Sequence, residues 1–351
     1  MLEELTRRLE QHEDLTADQV QVAVAHLVNE SVSAETKAVF LTALAQKGET
    51  PEEISVFAQV LRKMATTVPV DEETRANGIL DVVGTGGDRA GTFNLSTGAA
   101  IVCASAGVTV AKHGNRAVTS KTGSADVLEA LGVPIVLDPL EAAASLKHKG
   151  FAFLFAPRYH PAFKQIAPAR RLCAERGQRT LFNYLGPLLN PSFPTAQLMG
   201  VSQPDLCEPM AHVLKSLGVR RGMVVCGNVG PAGEGPAWLD ELSTLGPTVI
   251  AEFHEGGKVN VSQLARDLFR FGPATIADLR GGTREENASI LVRLLTGQEK
   301  GPKLDALLLN AGAGLFVSGK VRSIIEGCEY AAKLIEQGIA GQKLESIRSP
   351  H

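Results

Sequence analysis

Apolar residues in the first 75 positions recur at helical spacing. Leu2, Leu5 and Leu9 fall on one helix face. Thr16-Ala17-Asp18-Gln19 is a capping-box pattern ahead of Val20, Val22, Val24 and Leu27. Ser33-Ala34-Glu35 precedes the apolar stretch at 39–44. Thr50-Pro51-Glu52-Glu53 offers an N-cap, a proline at the first helical position and acids in the first turn. Ile54, Phe57, Ala58 and Leu61 then supply the stripe. Short amphipathic helices cannot bury their stripes alone, so these must pack on one another and on a partner. Read from its residues, the region is an all-helical packing module with no chemistry.

The pattern changes at about residue 76. Short runs rich in β-formers at 79–83, 108–111, 135–137 and 151–155 alternate with helical segments. Such alternation predicts a parallel sheet with helical crossovers, whose ligands sit at the carboxyl ends of strands. Residues 166–190 return to helix; 199–202, 223–226 and 248–253 read as further strands, with a helix over 204–217. The tail from Gln337 is expected to fray after a helix. The expected fold class is α/β plus a small all-helical domain, with a mostly parallel central sheet flanked by helices. Residues 1–75 with 166–190 make the helical domain, and 76–165 with 191–351 the α/β domain. A length of 351 residues agrees with two subdomains.

Candidate chemistry is concentrated between Asp81 and Gly132. A predicted strand runs into Gly84-Thr85-Gly86-Gly87-Asp88, where glycine lets main-chain N–H groups approach a bulky anion and permits positive φ. Asn94, Ser96 and Thr97 then stand at the start of an apolar helix over 98–106, where free N–H groups and the positive dipole end favour phosphate. The next strand is expected to end before Lys112-His113-Gly114-Asn115-Arg116. Thr119, Ser120, Lys121, Thr122 and Ser124 add hydroxyls and a further cation. Paired strand-end loops of this kind point to a ligand with two phosphate groups.

Composition narrows the setting. At 44% hydrophobic and 21% charged the chain is ordinary globular protein, and its net charge of −3 gives no global field for nucleic acid. Cys103, Cys173, Cys207, Cys226 and Cys328 are scattered without a C-x-x-C pair, which excludes a zinc pattern and fits a reducing cytoplasm. The N-terminus is charged from its third residue, unlike a signal peptide, and no apolar run has membrane-spanning length.

The motifs GTGGD (84–88), NLST (94–97) and KHGNRAVTSKTGSADVLEALG (112–132), in that order, resemble the anthranilate phosphoribosyltransferase family. Phe155-Ala156-Pro157, His160 to Lys164, RTLFNYLGPLLNP (179–191) and LDELSTLGPT (239–248) agree, so the resemblance runs to about Gly319. It implies a nucleoside phosphorylase/phosphoribosyltransferase-like fold whose helical domain forms the interface of a homodimer. It implies transfer of a phosphoribosyl group from phosphoribosyl pyrophosphate to anthranilate, in tryptophan biosynthesis. Donor-binding positions carried over are Gly84, Gly87, Asp88, Thr92, Asn94, Leu95, Ser96, Thr97, Lys112, His113, Gly114, Asn115, Arg116, Thr119, Ser120 and Ser124. Gly84, Asn115 and Arg170 match positions near anthranilate, where a planar guanidinium suits a carboxylate. Ser96, Asp240 and Glu241 match the Mg2+ side; adjacent carboxylates beside phosphate suit that ion. Without the resemblance, Arg170 and Asp240-Glu241 would read as solvated surface.

The chain departs from the family pattern in places. Leu172 to Gln178 puts seven residues between Arg171 and Arg179 where the family usually has about four. Ala117 lacks a hydroxyl the family often has, and Pro231 to Trp238 reads as an unusual flap. No general base is assigned, since a neutral aromatic amine attacks without one; His113 is the candidate, and it can equally serve only to orient the acceptor. Asn310-Ala311-Gly312-Ala313-Gly314 lacks the third glycine of a dinucleotide site and reads as a close helix contact. Alternatives left open are a pyrimidine nucleoside phosphorylase, an enzyme for another aromatic amine, and a phosphate-binding scaffold.

Overall fold

The computed structural model describes residues 1–117, 122–230 and 237–348. Four helices open the chain: α1 (Leu2–Glu10), α2 (Ala17–Leu27), α3 (Ala34–Lys47) and α4 (Pro51–Lys63). Their starts follow local chemistry. Thr16 and Thr50 close capping boxes with Gln19 and Glu53, and Ser33 accepts from the Thr36 N–H. A short α5 (Glu72–Ala76) leads into the sheet.

The α/β part runs β1 (Leu80–Gly84), α6 (Leu95–Ser105), β2 (Val110–Gly114), α7 (Ser124–Ala130), α8 (Pro139–Lys149), β3 (Phe151–Phe155), α9 (Ala156–Tyr159) and α10 (Ala167–Glu175). Then come β4 (Ala196–Gly200), α11 (Cys207–Ser216), β5 (Arg221–Asn228), β6 (Trp238–Leu239), β7 (Thr248–Phe253) and β8 (Asn260–Leu264). Four helices finish the chain: α12 (Arg284–Leu295), α13 (Pro302–Val317), α14 (Ile324–Glu336) and α15 (Ile339–Arg348). The sheet order is β3-β2-β1-β4-β5-β7-β8, with β6 paired to β5. The ladder is parallel from β3 to β5 and antiparallel at β6, β7 and β8.

The sheet separates a large apolar core on one face from a large and a smaller one on the other. On one face α6 and α13 pack over Leu80, Val82, Val110 and Leu198, backed by α12, α14 and α15. On the other, α1–α4 and α10 share a core with α11 and with Met199, Val224, Cys226 and Phe253 of the sheet. Lys37, although buried, donates from Nζ to the Gln165 carbonyl at 3.0 Å, tying α3 to the approach of α10. Buried polar groups need such partners.

Several expectations change. Residues 135–137 form no strand: Ile135 and Leu137 are buried and Val136 is exposed, so the alternation is met by an unpaired crossover between α7 and α8. Strand β2 continues through Gly114, so Lys112 and His113 are strand residues rather than loop residues. Strand β4 starts three residues before the predicted 199. Helix α6 begins at Leu95, which puts Ser96 and Thr97 in its first turn. The tail does not fray at 337, because α15 buries Ala340, Leu344 and Ile347. Strand β8 was not expected; it is an exposed edge without apolar alternation.

Candidate functional site

The carboxyl ends of β1, β4 and β5 meet one segment, Asp240-Glu241. Strands β1 and β4 end in glycine for a steric reason. A Cβ on Gly84 would overlap Asp240 Oδ2, and one on Gly200 would overlap the Asp240 carbonyl. At Gly86 and Gly87 the requirement is conformational, with φ of +69° and +82°. Gly200 was missed by sequence reasoning, although a glycine closing an apolar strand was the available signal.

Asp240 Oδ2 accepts from the Gly86 N–H at 2.6 Å, and Glu241 Oε1 from the Ser96 N–H at 3.2 Å. The amides read from sequence as phosphate donors thus face a carboxylate pair. Burial, then the Asp88 carboxylate, pushes Asp240 above the ordinary carboxylate range. Burial and Asp240 push Glu241 well up, against the pull of Lys112. Among the described residues, no group of three or more His, Cys, Asp and Glu could hold a metal unaided. Two crowded carboxylates beside main-chain N–H groups fit a hard dication that takes its other ligands from water and phosphate.

Strand alternation sends Lys112 and His113 to opposite faces of the sheet. Lys112 is 1% exposed. Its Nζ donates to the Val82 carbonyl at 2.6 Å and to Ser96 Oγ at 3.2 Å. Burial lowers its pKa, and Asp81, Glu241 and Asp240 pull it back. Behind it, Asp81 is fully buried, accepting from Asn190 Nδ2 at 2.8 Å and the His113 N–H at 3.3 Å.

The start of α6 is held by a polar triangle. Asn94 Nδ2 donates to the Thr122 carbonyl at 3.2 Å, and its Oδ1 accepts from Asn287 Nδ2 at 2.9 Å. Asn287 Oδ1 accepts from the Gly282 N–H at 2.8 Å, and Thr122 Oγ1 donates to the Gly282 carbonyl at 3.0 Å. Asn287 had no sequence signal; it sits in an ordinary polar helix start. Thr97 is fully buried and its Oγ1 meets no protein partner among the described residues. Leu95 is buried in the core, and Thr92 bridges to Arg280 through the main chain. Asp88 Oδ1 accepts from the Ala90 N–H at 3.0 Å.

The second predicted loop is pinned by Asp126, whose Oδ2 accepts from the Ala117 and Gly123 N–H groups at 3.0 and 2.9 Å. Arg116 is engaged by Asp126 and Glu129, each at 2.9 Å, and does not join Lys112. Asn115 Oδ1 accepts from the Arg116 N–H, and the Asn115 carbonyl from Ser124 Oγ at 3.4 Å. Gly114 lies against Ser124 and Phe153. Thr119, Ser120 and Lys121 lie outside the described residues, as do 231–236 of the expected flap; Trp238 belongs to β6.

On the His113 face, rings run in series. Centroids are 5.2 Å apart for His113–His160, 5.5 Å for His160–Phe163 and 5.6 Å for Phe163–Phe182. The Arg170 guanidinium lies 5.4 Å from the Phe182 centroid. Arg170 is half-buried and has no hydrogen-bond or ion-pair partner among the described residues; burial holds it below its ordinary pKa. The longer segment after it continues α10 to Glu175, turns at Gly177 (φ +69°), and ties Arg176 to Glu35 at 2.8 Å. Arg179 was not singled out from sequence, yet its Nη2 donates to the Gly87 carbonyl at 3.4 Å. Burial, then His160, holds the His113 imidazole down to about 3, and burial holds His160 to about 4. A main-chain hydrogen bond to Gly186 leaves His113 Nε2 as the nitrogen without a partner among the described residues.

The chain carries the glycosyl transferase family a/b domain over residues 76–341 and the glycosyl transferase family helical bundle domain over residues 3–65. It is 44% identical to anthranilate phosphoribosyltransferase of Symbiobacterium thermophilum, over 98% of this chain and 96% of the relative. It is 42% identical to that of Petrotoga mobilis, over 95% and 92%. The crystal structure of anthranilate phosphoribosyltransferase from Thermus thermophilus matches with a TM-score of 0.86 and 41% identity, over 98% of both chains. The Saccharomyces cerevisiae enzyme in complex with PRPP and Mg matches with a TM-score of 0.83 and 26% identity, over 99% of this chain and 96% of that one.

Gly200→Ala is expected to displace the Asp240 main chain and lower kcat/KM by about 100-fold, the usual effect of a misplacement near 1 Å. Steady-state kinetics on a variant with native circular dichroism checks this; near-normal activity contradicts it. For His160, the unfolded imidazole titrates near pH 6.5 and the folded one at about 4. The unfolded chain therefore binds more protons between those values, and stability falls as pH drops through that window. Asp81, raised to about 6, contributes with the opposite sign, so wild type and variant must be compared. His160→Asn is expected to remove nearly one proton of linkage between pH 6 and 5, read by urea unfolding. An unchanged slope would refute the buried neutral imidazole.

Proposed function

The chain belongs to the anthranilate phosphoribosyltransferase family and transfers the phosphoribosyl group of phosphoribosyl pyrophosphate to the amine of anthranilate; we propose that the two faces of β2 divide this work. The Lys112 face binds the donor, and the His113 face receives the acceptor.

On the donor side, the 84–88 turn and the first turn of α6 offer main-chain N–H groups to the phosphates. Thr97 supplies a buried hydroxyl with no protein partner among the described residues. Asn94, held by Asn287, orients that turn. Asp240, Glu241 and Ser96 would hold Mg2+, an ion found with PRPP in the yeast relative. When bound, the ion neutralises charge on the pyrophosphate leaving group. Lys112 steadies Ser96 and balances the carboxylates.

On the acceptor side, Arg170 receives the anthranilate carboxylate and the ring series lines the way to His113. The amine nitrogen forms the new bond to ribose C1 as the C1–O bond breaks, and the electron pair leaves on pyrophosphate. The nitrogen then gives up one proton to solvent. His113, neutral and weakly basic, accepts a hydrogen bond from the amine at Nε2 and orients it rather than removing a proton in advance. Residues 1–75 with 166–190 present the surface for a homodimer. No helix of the described residues is long and apolar enough to cross a membrane, which accords with a cytoplasmic enzyme.

The observation that carries this reading is Arg170, a half-buried guanidinium with no ion-pair or hydrogen-bond partner among the described residues, at the far end of the ring series from His113. A pyrimidine base would bring it carbonyl oxygens but no carboxylate. Arg170→Ala is expected to raise the KM for anthranilate at least tenfold, the worth of a charge-assisted pair, while the KM for donor stays within about twofold. Loss of both affinities in equal measure would sink the carboxylate assignment.

A further inference from the structure

The run Asn310-Ala311-Gly312-Ala313-Gly314 lies in the middle of α13, and nothing above uses its asparagine. Asn310 is 0% exposed. A buried amide is unfavourable unless its polar atoms are paired. Here Oδ1 accepts from the Leu242 N–H at 2.9 Å, and Nδ2 donates to the Leu242 carbonyl at 3.0 Å. The second Nδ2 hydrogen goes to the Ala306 carbonyl at 3.0 Å, one turn back along the helix. The side chain therefore grips both main-chain groups of a single residue, the one that follows Glu241.

The glycines around it bring the helix within reach. A Cβ on Gly314 would lie 2.7 Å from Cys103 Sγ of α6, so α13 and α6 touch closely. Helix α6 carries the Ser96 N–H that meets Glu241 at 3.2 Å. One helix thus fixes both partners of that contact, from behind the carboxylates and from beneath the amide.

We propose that Asn310 is a positioning residue that sets Asp240 and Glu241 against the Gly86 and Ser96 amides, and so builds the metal–pyrophosphate end of the site without touching a ligand. The inference rests on the reading of Asp240 and Glu241 as the metal-side carboxylates. A residue with a merely structural role would lower stability and every binding constant together. A positioning residue alters metal binding selectively.

The test uses Mn2+ with inorganic pyrophosphate, followed by electron paramagnetic resonance on the full chain, with anthranilate KM and urea unfolding measured alongside. Asn310→Leu keeps the volume and removes the grip. It is expected to weaken Mn2+ binding by about tenfold, as removal of groups behind metal ligands does, and to leave anthranilate KM within about twofold. Unchanged Mn2+ binding, or an equal loss of Mn2+ and anthranilate affinity, overturns the proposal. Asn310→Asp keeps the acceptor for the Leu242 N–H; it is expected to fall between wild type and Asn310→Leu, and decides the matter alone if the leucine variant does not fold. Asp240→Asn with Glu241→Gln separates the two levels. Surviving Mn2+ binding in that variant overturns the carboxylate assignment itself. Abolished binding there, with normal binding in Asn310→Leu, overturns only the role of Asn310.

Discussion

A pair of carboxylates lying across main-chain amides is the constraint on which the site depends. Asp240 and Glu241 take the N–H groups of Gly86 and Ser96, which belong to two different elements. To bring them there, β1 and β4 must end in residues without side chains. The carboxylates also impose an electrostatic condition. Asp81, Asp240 and Glu241 gather around the buried Lys112, and Asp88 adds its charge to Asp240 and Glu241. A donor with two phosphate groups adds negative charge to a site already rich in it. Asp240, Glu241 and Ser96, if they hold a divalent cation as proposed, would have that repulsion relieved and the Gly86 and Ser96 amides freed for the phosphates.

The second organising element is β2. Its two-residue period places Lys112 against α6 and His113 against the helical part of the chain. On the proposed reading, donor and acceptor would then approach each other at the carboxyl end of the parallel strands. The shared core of α1–α4, α10 and α11 has a functional consequence. It seats Phe163, Phe182 and Arg170 on the same packing layer as the sheet face that bears His113.

What could be read from the sequence divides along the range of the interactions. Helix starts at Thr16, Ser33 and Thr50 were legible because a cap is made within four residues. The glycine turn was legible because its positive-φ glycines stand in consecutive residues, whereas Asp240-Glu241 was singled out only through the family resemblance. The end of β2 was misread, since a lysine and a histidine usually signal solvent; here Val82, Ser96 and Gly186 satisfy them inside the protein. The run 135–137 was misread because alternation reports burial, and burial does not need a partner strand. Gly200, Arg179, Asn287 and Asn310 stayed hidden because each acts on residues 40 to 200 positions away, which no local pattern encodes.

The most direct test of the account is the coupling between donor and metal. Phosphoribosyl pyrophosphate is titrated calorimetrically into the protein without Mg2+ and again at saturating Mg2+. The account predicts donor binding at least about tenfold tighter with the metal, and by reciprocity Mg2+ binding tighter by the same factor with donor present. Equal donor affinity in the two titrations would contradict it, since the carboxylates would then have no part in holding the donor.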